Sequence, residues 1–475
     1  MPLNKSVWMV FVGALLVRGT ILMMYTDNVG WASSSMMFVD VARHVVEGKG
    51  LGYDDVVKRE FQATLAARHD NKWIDIDDFL KLRSSAPEAY QPYRGRSPGY
   101  ILFLSLVFFL TGSMKVFFPR LIQIILNASL CFALYSMGKQ LWSHRVGLWA
   151  AILFACWVPQ ALVSVMVGHD GLIPFFVGLS LFAFTKTLAD FSWSRVAWCA
   201  VLVGLGINVR ESCLLLAGLF VVGWLVLFPL RASMGKLLLF VALIAGSLLP
   251  WSLWNKSHVG RFMFLIPHQG VSLLDGIADA DAFNQFGLRE LDGTYHWDRL
   301  VQQKYGAEAP TIRSVEYNDA LMTEARRIIR QNPAWYAKSV LKRVVQFTVL
   351  PWSMWQLLAS EPQWSTFKAA GGTLTRYIKD YPAPFFFRIF GKAVEGGLFI
   401  LFVAGLALER KRWREMMVFA AVPLITIFSL APMKIQPSYI VPMQIPYFLL
   451  AAALLARWWR PGDPAPGNPV PGASA

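Results

Sequence analysis

The chain has 475 residues, of which 55% are hydrophobic and 16% charged, with a formal net charge of +15. Soluble domains of this size are rarely so apolar, so a membrane is the expected solvent. The basic residues fall in short clusters between apolar runs and not along one soluble face, which argues against a nucleic-acid binder and for topology information.

The first apolar run, 7–25, is long enough to span a bilayer, and no small-x-small cleavage site follows it, so it is expected to stay as the first helix. A polar region, 26–97, comes next. Apolar stretches then recur at 98–113, 117–138, 146–168, 170–188, 196–209, 211–229 and 237–254. A second polar region, 255–388, precedes the last three stretches, 389–408, 414–431 and 438–456. Within it, 334–357 mixes Trp, Lys and Arg with apolar residues and reads as an interfacial helix. The tail 461–475 is rich in Pro, Gly and Ala and is expected to be disordered. No internal repeat is evident. The four cysteines, Cys131, Cys156, Cys199 and Cys213, lie in apolar segments without metal-ligand spacing and read as small core residues, not as disulfide partners.

Lys and Arg concentrate in short loops on the cytoplasmic side. Lys139 with Arg145, Lys186 with Arg195, Arg231 with Lys236, the run 410–414, and Arg457 with Arg460 are mutually consistent as inner clusters. With Lys5 also inside, parity requires that 98–113, only 16 residues long, not cross fully. Seven crossings then precede the second polar region and three follow it. The expected fold is an all-α polytopic bundle of about 10–12 transmembrane or membrane-embedded helices. It divides into an N-terminal membrane module, 1–254, whose outer loop 26–97 carries surface helices, an outer region 255–388, and C-terminal membrane helices 389–460. This arrangement gathers Asp27, Asp40, Arg94, Arg96, Asp170, Arg210 and Glu211 at the outer face, and such convergence suggests a site.

Several groups there suit chemistry. Stretch 34–48 has apolar residues at helical spacing, with Asp40, Arg43, His44 and Glu47 on the other side; it is either part of a site or an amphipathic helix whose charges face water. In YRGRSPGY, Tyr93 to Tyr100, the two arginines suit a phosphate clamp and equally suit attachment to anionic lipid. His169-Asp170 stands where one apolar stretch ends and the next begins, and Asp170 is either a functional carboxylate or a helix cap. Arg210-Glu211 splits a long apolar stretch in two, and its ion pair is open to a purely structural reading.

In order along the chain these features resemble the superfamily C glycosyltransferases, in the bacterial branch related to protein mannosyltransferases and the aminoarabinose transferases of lipid A. The resemblance runs through Ala42, Gly48 and Gly50; Arg96, Pro98, Gly99 and Tyr100; the Asp170 and Arg210 turns; Pro250-Trp251, Gly270 and Leu274-Asp275-Gly276. It continues through Glu324-Ala325, Asn332-Pro333, Tyr336, Tyr439 and Pro442. It implies transfer of a sugar from a polyprenyl-phosphate carrier to a lipid, glycan or protein acceptor, outside a bacterial inner membrane. Asp170, Asp40 and Asp27 are then the candidate catalytic carboxylates, with Arg94, Arg96, Tyr100, His169 and Arg210 around the lipid phosphate. A carboxylate takes the acceptor proton while arginine stabilises charge on the departing phosphate. Relatives usually place their catalytic Asp eight residues before the alanine matching Ala42, and this chain has Ser34 there. Ser438 likewise stands where relatives often have arginine. Carboxylates are able to hold Mg²⁺ or Mn²⁺, but no ligand spacing calls for either. A transporter or flippase without covalent chemistry, or an inactive homologue that binds the lipid-linked sugar, is the alternative.

Overall fold

The computed structural model describes residues 5–24, 33–54, 90–93, 97–265, 269–281, 285–288, 297–306, 315–348, 371–433 and 437–459. Asp27, Arg94 and Arg96, together with the tail 461–475, lie outside the described residues. In chain order the helices are α1 (Lys5–Met24), α2 (Ser33–Val46), α3 (Gly99–Thr111), α4 (Phe117–Leu141), α5 (His144–Ala155), α6 (Val158–Ser164) and α7 (His169–Ala189). They continue as α8 (Trp193–Val209), α9 (Leu214–Leu227), α10 (Leu230–Val259), α11 (Gln269–Ala280), α12 (Trp297–Tyr305), α13 (Val315–Gln331) and α14 (Pro333–Thr348). The chain closes with α15 (Leu374–Asp380), α16 (Pro382–Leu408), α17 (Trp413–Leu430), α18 (Pro437–Ile440) and α19 (Ile445–Trp458).

Among the described residues seven helices are long and apolar enough to cross a membrane, or eight if the bent pair α5–α6 is one span. The shorter apolar helices α3, α8 and α9 complete an all-α polytopic membrane fold. α1 shows why lipid is its solvent. Ala14, Arg18, Ile21 and Leu22 form one buried face at helical spacing, while Met9, Leu16 and Met23 are exposed. Water would penalise that second face, and acyl chains do not. Where helices must approach closely, glycine makes room: a Cβ on Gly138 of α4 would lie 2.6 Å from the Cα of Gly147 on α5.

The break between α5 and α6 has a local cause. Pro159 has no N–H to give the Ala155 carbonyl four residues back, and its ring crowds that carbonyl, so the helix stops and restarts at an angle of 61°. Cys156 caps α5 at this bend and is exposed, unlike the buried Cys131, Cys199 and Cys213; all four are free thiols.

At the end of the bundle where α4 finishes and α7 finishes, polar links are dense. Lys186 donates to Ser136 and Gln140 (3.1 and 3.0 Å), and Arg412 donates to the Leu141 carbonyl at 2.9 Å. Buried Glu409 accepts from Arg457 at 2.6 Å and lies 3.5 Å from Arg412, which also pairs with Glu415. These bonds tie the ends of α4, α7, α16, α17 and α19.

Among its described residues the first polar loop carries the surface helix α2 but is not made of helix alone. Besides α2 it contains a two-stranded antiparallel ribbon, β1 (Gly52–Asp54) with β2 (Tyr90–Pro92), in the register Gly52↔Pro92, Tyr53↔Gln91 and Asp54↔Tyr90. Nor do the charges of α2 simply face water. Asp40 and His44 are each 1% exposed, and His44 Nδ1 is 2.8 Å from the Gly52 carbonyl, so the ribbon covers that side of the helix.

In the second polar region α11 and α13 enclose a core of their own, with Leu274, Ile277, Leu321, Ala325 and Ile328 fully or almost fully buried. Asp275 accepts a hydrogen bond from Trp297 Nε1 at 2.8 Å. α14 packs Phe347 against Ile427, Ala431 and Ile440 of the C-terminal helices. Tyr336 donates to the Pro432 carbonyl at 2.9 Å, and Arg343 donates to the carbonyls of Ala431 (2.6 Å), Met433 (3.0 Å) and Gly276 (2.7 Å). Burial pushes the Tyr336 phenol up, which keeps it a donor. Arg343→Met leaves these carbonyls without their donor, and Arg343→Lys does not restore a planar fork. Either variant is expected to speed amide hydrogen exchange in 333–348 and 431–433 by at least about tenfold, read by mass spectrometry.

Candidate active site

The corner between α6 and α7 interrupts a helical path, so the last carbonyls of α6 and the first N–H groups of α7 need partners from elsewhere. α4 supplies them. Gln123 Nε2 donates to the carbonyls of Ser164 (3.2 Å) and Met166 (3.0 Å), and Arg120 Nε donates to that of Val165 at 2.7 Å. Asn127 Nδ2 donates to the Gly171 carbonyl at 2.8 Å. From α3, the Tyr100 hydroxyl accepts the Gly168 N–H at 2.8 Å and donates to Gln123 Oε1 at 2.9 Å. Arg120, Gln123, Asn127 and Tyr100 are all buried. Tyr100→Phe strips both Gly168 and Gln123 of a buried partner. The expected loss is about 1–3 kcal/mol of stability, read as a lower denaturation midpoint of the purified protein.

This scaffold presents His169 and Asp170 in the first turn of α7. Arg210 Nη1 donates to Asp170 Oδ1, and His169 Nε2 lies 3.2 Å from the same oxygen. Asp170 and Arg210 are 9% and 8% exposed, so the pair is screened from water and the attraction is strong. The Arg210 guanidinium also stacks on Tyr439, 3.9 Å from the ring centroid, which adds a cation–π contact from the C-terminal helices.

Arg210 does not pair with Glu211, as adjacency in sequence suggests. α8 ends at Val209, Arg210 adopts an extended backbone, and the two side chains diverge. Glu211 instead accepts from the Ser97 N–H (2.9 Å) and the Ser97 hydroxyl (3.1 Å), which anchors the chain just before α3. Gly99 then passes so close to α8 that a Cβ there would lie 2.5 Å from the Asn208 carbonyl oxygen.

The first polar loop reaches the same corner. Phe38 of α2 meets His169 edge to face at 5.7 Å between centroids and Tyr100 at 5.5 Å. Position 34 lies one helical turn before Phe38 in the sequence of α2, while Asp40 is turned about 200° from Phe38 around the axis. Asp40 lies 3.7 Å from Arg43 within its own helix. Tyr100, His169, Asp170 and Arg210 are therefore brought together, and Asp40 stands on the far side of the helix that touches them.

Sequence reasoning missed Arg120, Gln123 and Asn127, whose signal was polar residues at i, i+3 and i+7 inside an apolar run, and it missed Ser97 as the partner of Glu211. Among the described residues no group of three His, Cys, Asp or Glu side chains converges. The corner carboxylate is bonded by Arg210 and His169, so the described residues offer a divalent ion no ligand set there.

Comparison with known proteins gives a family for part of the chain. Residues 95–254 match the model of the dolichyl-phosphate-mannose-protein mannosyltransferase family. That segment holds Tyr100, Arg120, Gln123, His169, Asp170, Arg210 and Glu211, and it leaves out α2 and the second polar region. Among curated proteins none matches the chain. Solved structures with some similarity include the oligosaccharyltransferase AglB of the archaeon Archaeoglobus fulgidus in complex with an inhibitory peptide and a dolichol-phosphate. It is 13% identical, with a TM-score of 0.49 over 98% of this chain and 52% of that one. The apo form of the Archaeoglobus fulgidus oligosaccharyltransferase is 12% identical, with a TM-score of 0.49 over 96% of this chain and 51% of that one. The chain thus spans about half the length of these structures. The family match is carried by residues 95–254 alone, and it is this segment, the one holding the Asp170–Arg210 corner, that is similar to the protein mannosyltransferases.

Proposed function

We propose that this protein transfers a sugar from a polyprenyl-phosphate carrier to a lipid, glycan or protein acceptor at the outer face of a bacterial inner membrane, in modification of cell-envelope glycan or lipopolysaccharide. The observation that carries this reading is the buried Asp170–Arg210 pair with His169 at a helix corner, met by the first polar loop through Phe38. In the reaction the acceptor oxygen forms a bond to the anomeric carbon as the bond from that carbon to the phosphate oxygen breaks. The acceptor proton passes to a carboxylate, and polyprenyl phosphate departs with the electron pair. Asp170 is the first candidate for that carboxylate, with Asp40 and Asp27 behind it. Arg210, held flat on Tyr439, is placed to face charge building on the phosphate, and Arg94 and Arg96 are further candidates for the phosphate. A low-dielectric surrounding strengthens each of these interactions.

The basic clusters support an orientation with the Asp170 corner outside, and the division into a membrane module 1–254, an outer region 255–388 and C-terminal helices 389–460 belongs to the same proposal. The test is transfer of radiolabelled sugar from a panel of polyprenyl-phosphate sugars to envelope extracts, catalysed by the purified protein in nanodiscs. Movement of label from lipid to acceptor is the expected result. Stable binding of the labelled lipids with no transfer from any of them would replace this reading with that of a non-catalytic binder.

A further inference from the structure

We propose that the Nε–Nη2 edge of Arg18 is a binding site for a small anion inside the membrane bundle, separate from the Asp170 corner. Arg18 lies in α1 and is 0% exposed. Its Nη1 donates to the carbonyls of Ala14 (3.2 Å) and Ala155 (3.4 Å), and the guanidinium rests on Phe154, 4.9 Å from the ring centroid. The Ala155 carbonyl is the one Pro159 leaves without an intrahelical donor, so this half of the side chain repairs the break between α5 and α6. The other half is unspent. Nε and Nη2 are fully buried and bond to nothing among the described residues.

Those two nitrogens lie along one edge of the guanidinium, the edge whose parallel N–H groups grip an anion from two sides. Arginine does not shed its proton to escape burial, so a full positive charge is fixed inside the bundle. Among the described residues the ionisable groups near enough to act on it are the thiols of Cys131 and Cys156, which are not carboxylates. An isolated buried cation costs far more than a paired one, and the missing element is negative charge. Gln160, buried just beyond the bend, likewise has both side-chain polar atoms unbonded among the described residues, so the interior beside the break is polar on α6 as well as on α1. Ile21 and Leu22 cluster with Ala161 and Leu162, and Arg18 sits one turn further from the corner; the anion is therefore held beneath the site and owes nothing to sugar transfer.

The experiment is thermal melting of the purified full-length protein at constant pH and ionic strength, with gluconate replaced stepwise by chloride, bromide or nitrate. The small anions are expected to raise the midpoint in proportion to the logarithm of their concentration once it exceeds the dissociation constant, by about 2 °C at roughly ten times that constant. Nitrate outperforming the halides identifies an oxyanion as the preferred occupant, and the reverse order identifies a halide. The shift is expected to vanish in Arg18→Met. A midpoint indifferent to the anion, or a shift that persists in Arg18→Met, overturns the proposal. Should Arg18→Met fail to fold, crystals of the unaltered protein grown in bromide decide: an anomalous peak beside the Arg18 guanidinium supports the site, and its absence removes it.

Discussion

Asp170→Asn is expected to reduce turnover by at least about 100-fold while leaving the affinity for the proposed polyprenyl-phosphate donor within a few-fold of wild type. The substitution keeps the shape of the side chain and the oxygen that Arg210 and His169 meet, so the corner retains its geometry. It removes the negative charge. An amide cannot take a proton from an acceptor hydroxyl, and Arg210 is left with an incompletely compensated charge at a site 9% exposed. The two losses separate experimentally: steady-state transfer rates report the first, and the melting midpoint reports the second. Arg210→Lys provides the contrast, since it keeps the charge but loses the planar fork and the flat contact with Tyr439. It is expected to weaken donor binding as well as turnover. Full activity in Asp170→Asn would remove Asp170 from the reaction.

Gly99→Ala is expected to be nearly as damaging although it adds one methyl group. A Cβ at this position would lie 2.5 Å from the Asn208 oxygen, 2.6 Å from its carbonyl carbon and 2.8 Å from the Val209 nitrogen. All three are backbone atoms, so no side chain can rotate away, and α3 must separate from the end of α8. Arg210 is two residues beyond Asn208, and Ser97, which holds Glu211, is two residues before Gly99. Separation therefore disturbs the arginine and its anchor together. Overpacking of this kind costs about 1–3 kcal/mol, and a displacement of about 1 Å at a reacting group costs roughly 100-fold in rate. A folded variant with a lowered midpoint and turnover reduced by more than tenfold is expected; wild-type values of both would show that the contact is dispensable.

The membrane-embedded helices were legible in the sequence because they are apolar runs bounded by charge or proline, whereas α11, α12, α13 and α15 of the second polar region, short or rich in charge, were not. The run 170–188 became His169–Ala189, 117–138 became Phe117–Leu141, and the short 98–113 became the 13-residue Gly99–Thr111. The break at 208–211 was readable from Asn, Arg and Glu interrupting an apolar stretch, and it appears as helices Trp193–Val209 and Leu214–Leu227 joined by a 3₁₀ turn. Pairing across distance was not readable. Nothing local tells Arg210 to choose Asp170, 40 residues earlier, over Glu211 beside it, and Glu211 finds Ser97 across 114 residues. For α2, the periodic charges gave no sign that the ribbon would bury Asp40 and His44, because strands of three residues leave little trace in a pattern. Gln123 and Asn127 announced an interior face of α4 but not the carbonyls they serve.

The crowd of bonds joining Leu141, Lys186, Glu409, Arg412 and Arg457 has a mechanical meaning. The bundle is riveted at that extremity, whereas the opposite extremity is interrupted at 165–168 and at 210–213, where short side-chain bonds replace continuous helix. Asp170 and Arg210 therefore stand at the end where helices break, and their placement depends on single side-chain bonds from α3 and α4 in place of a continuous backbone ladder.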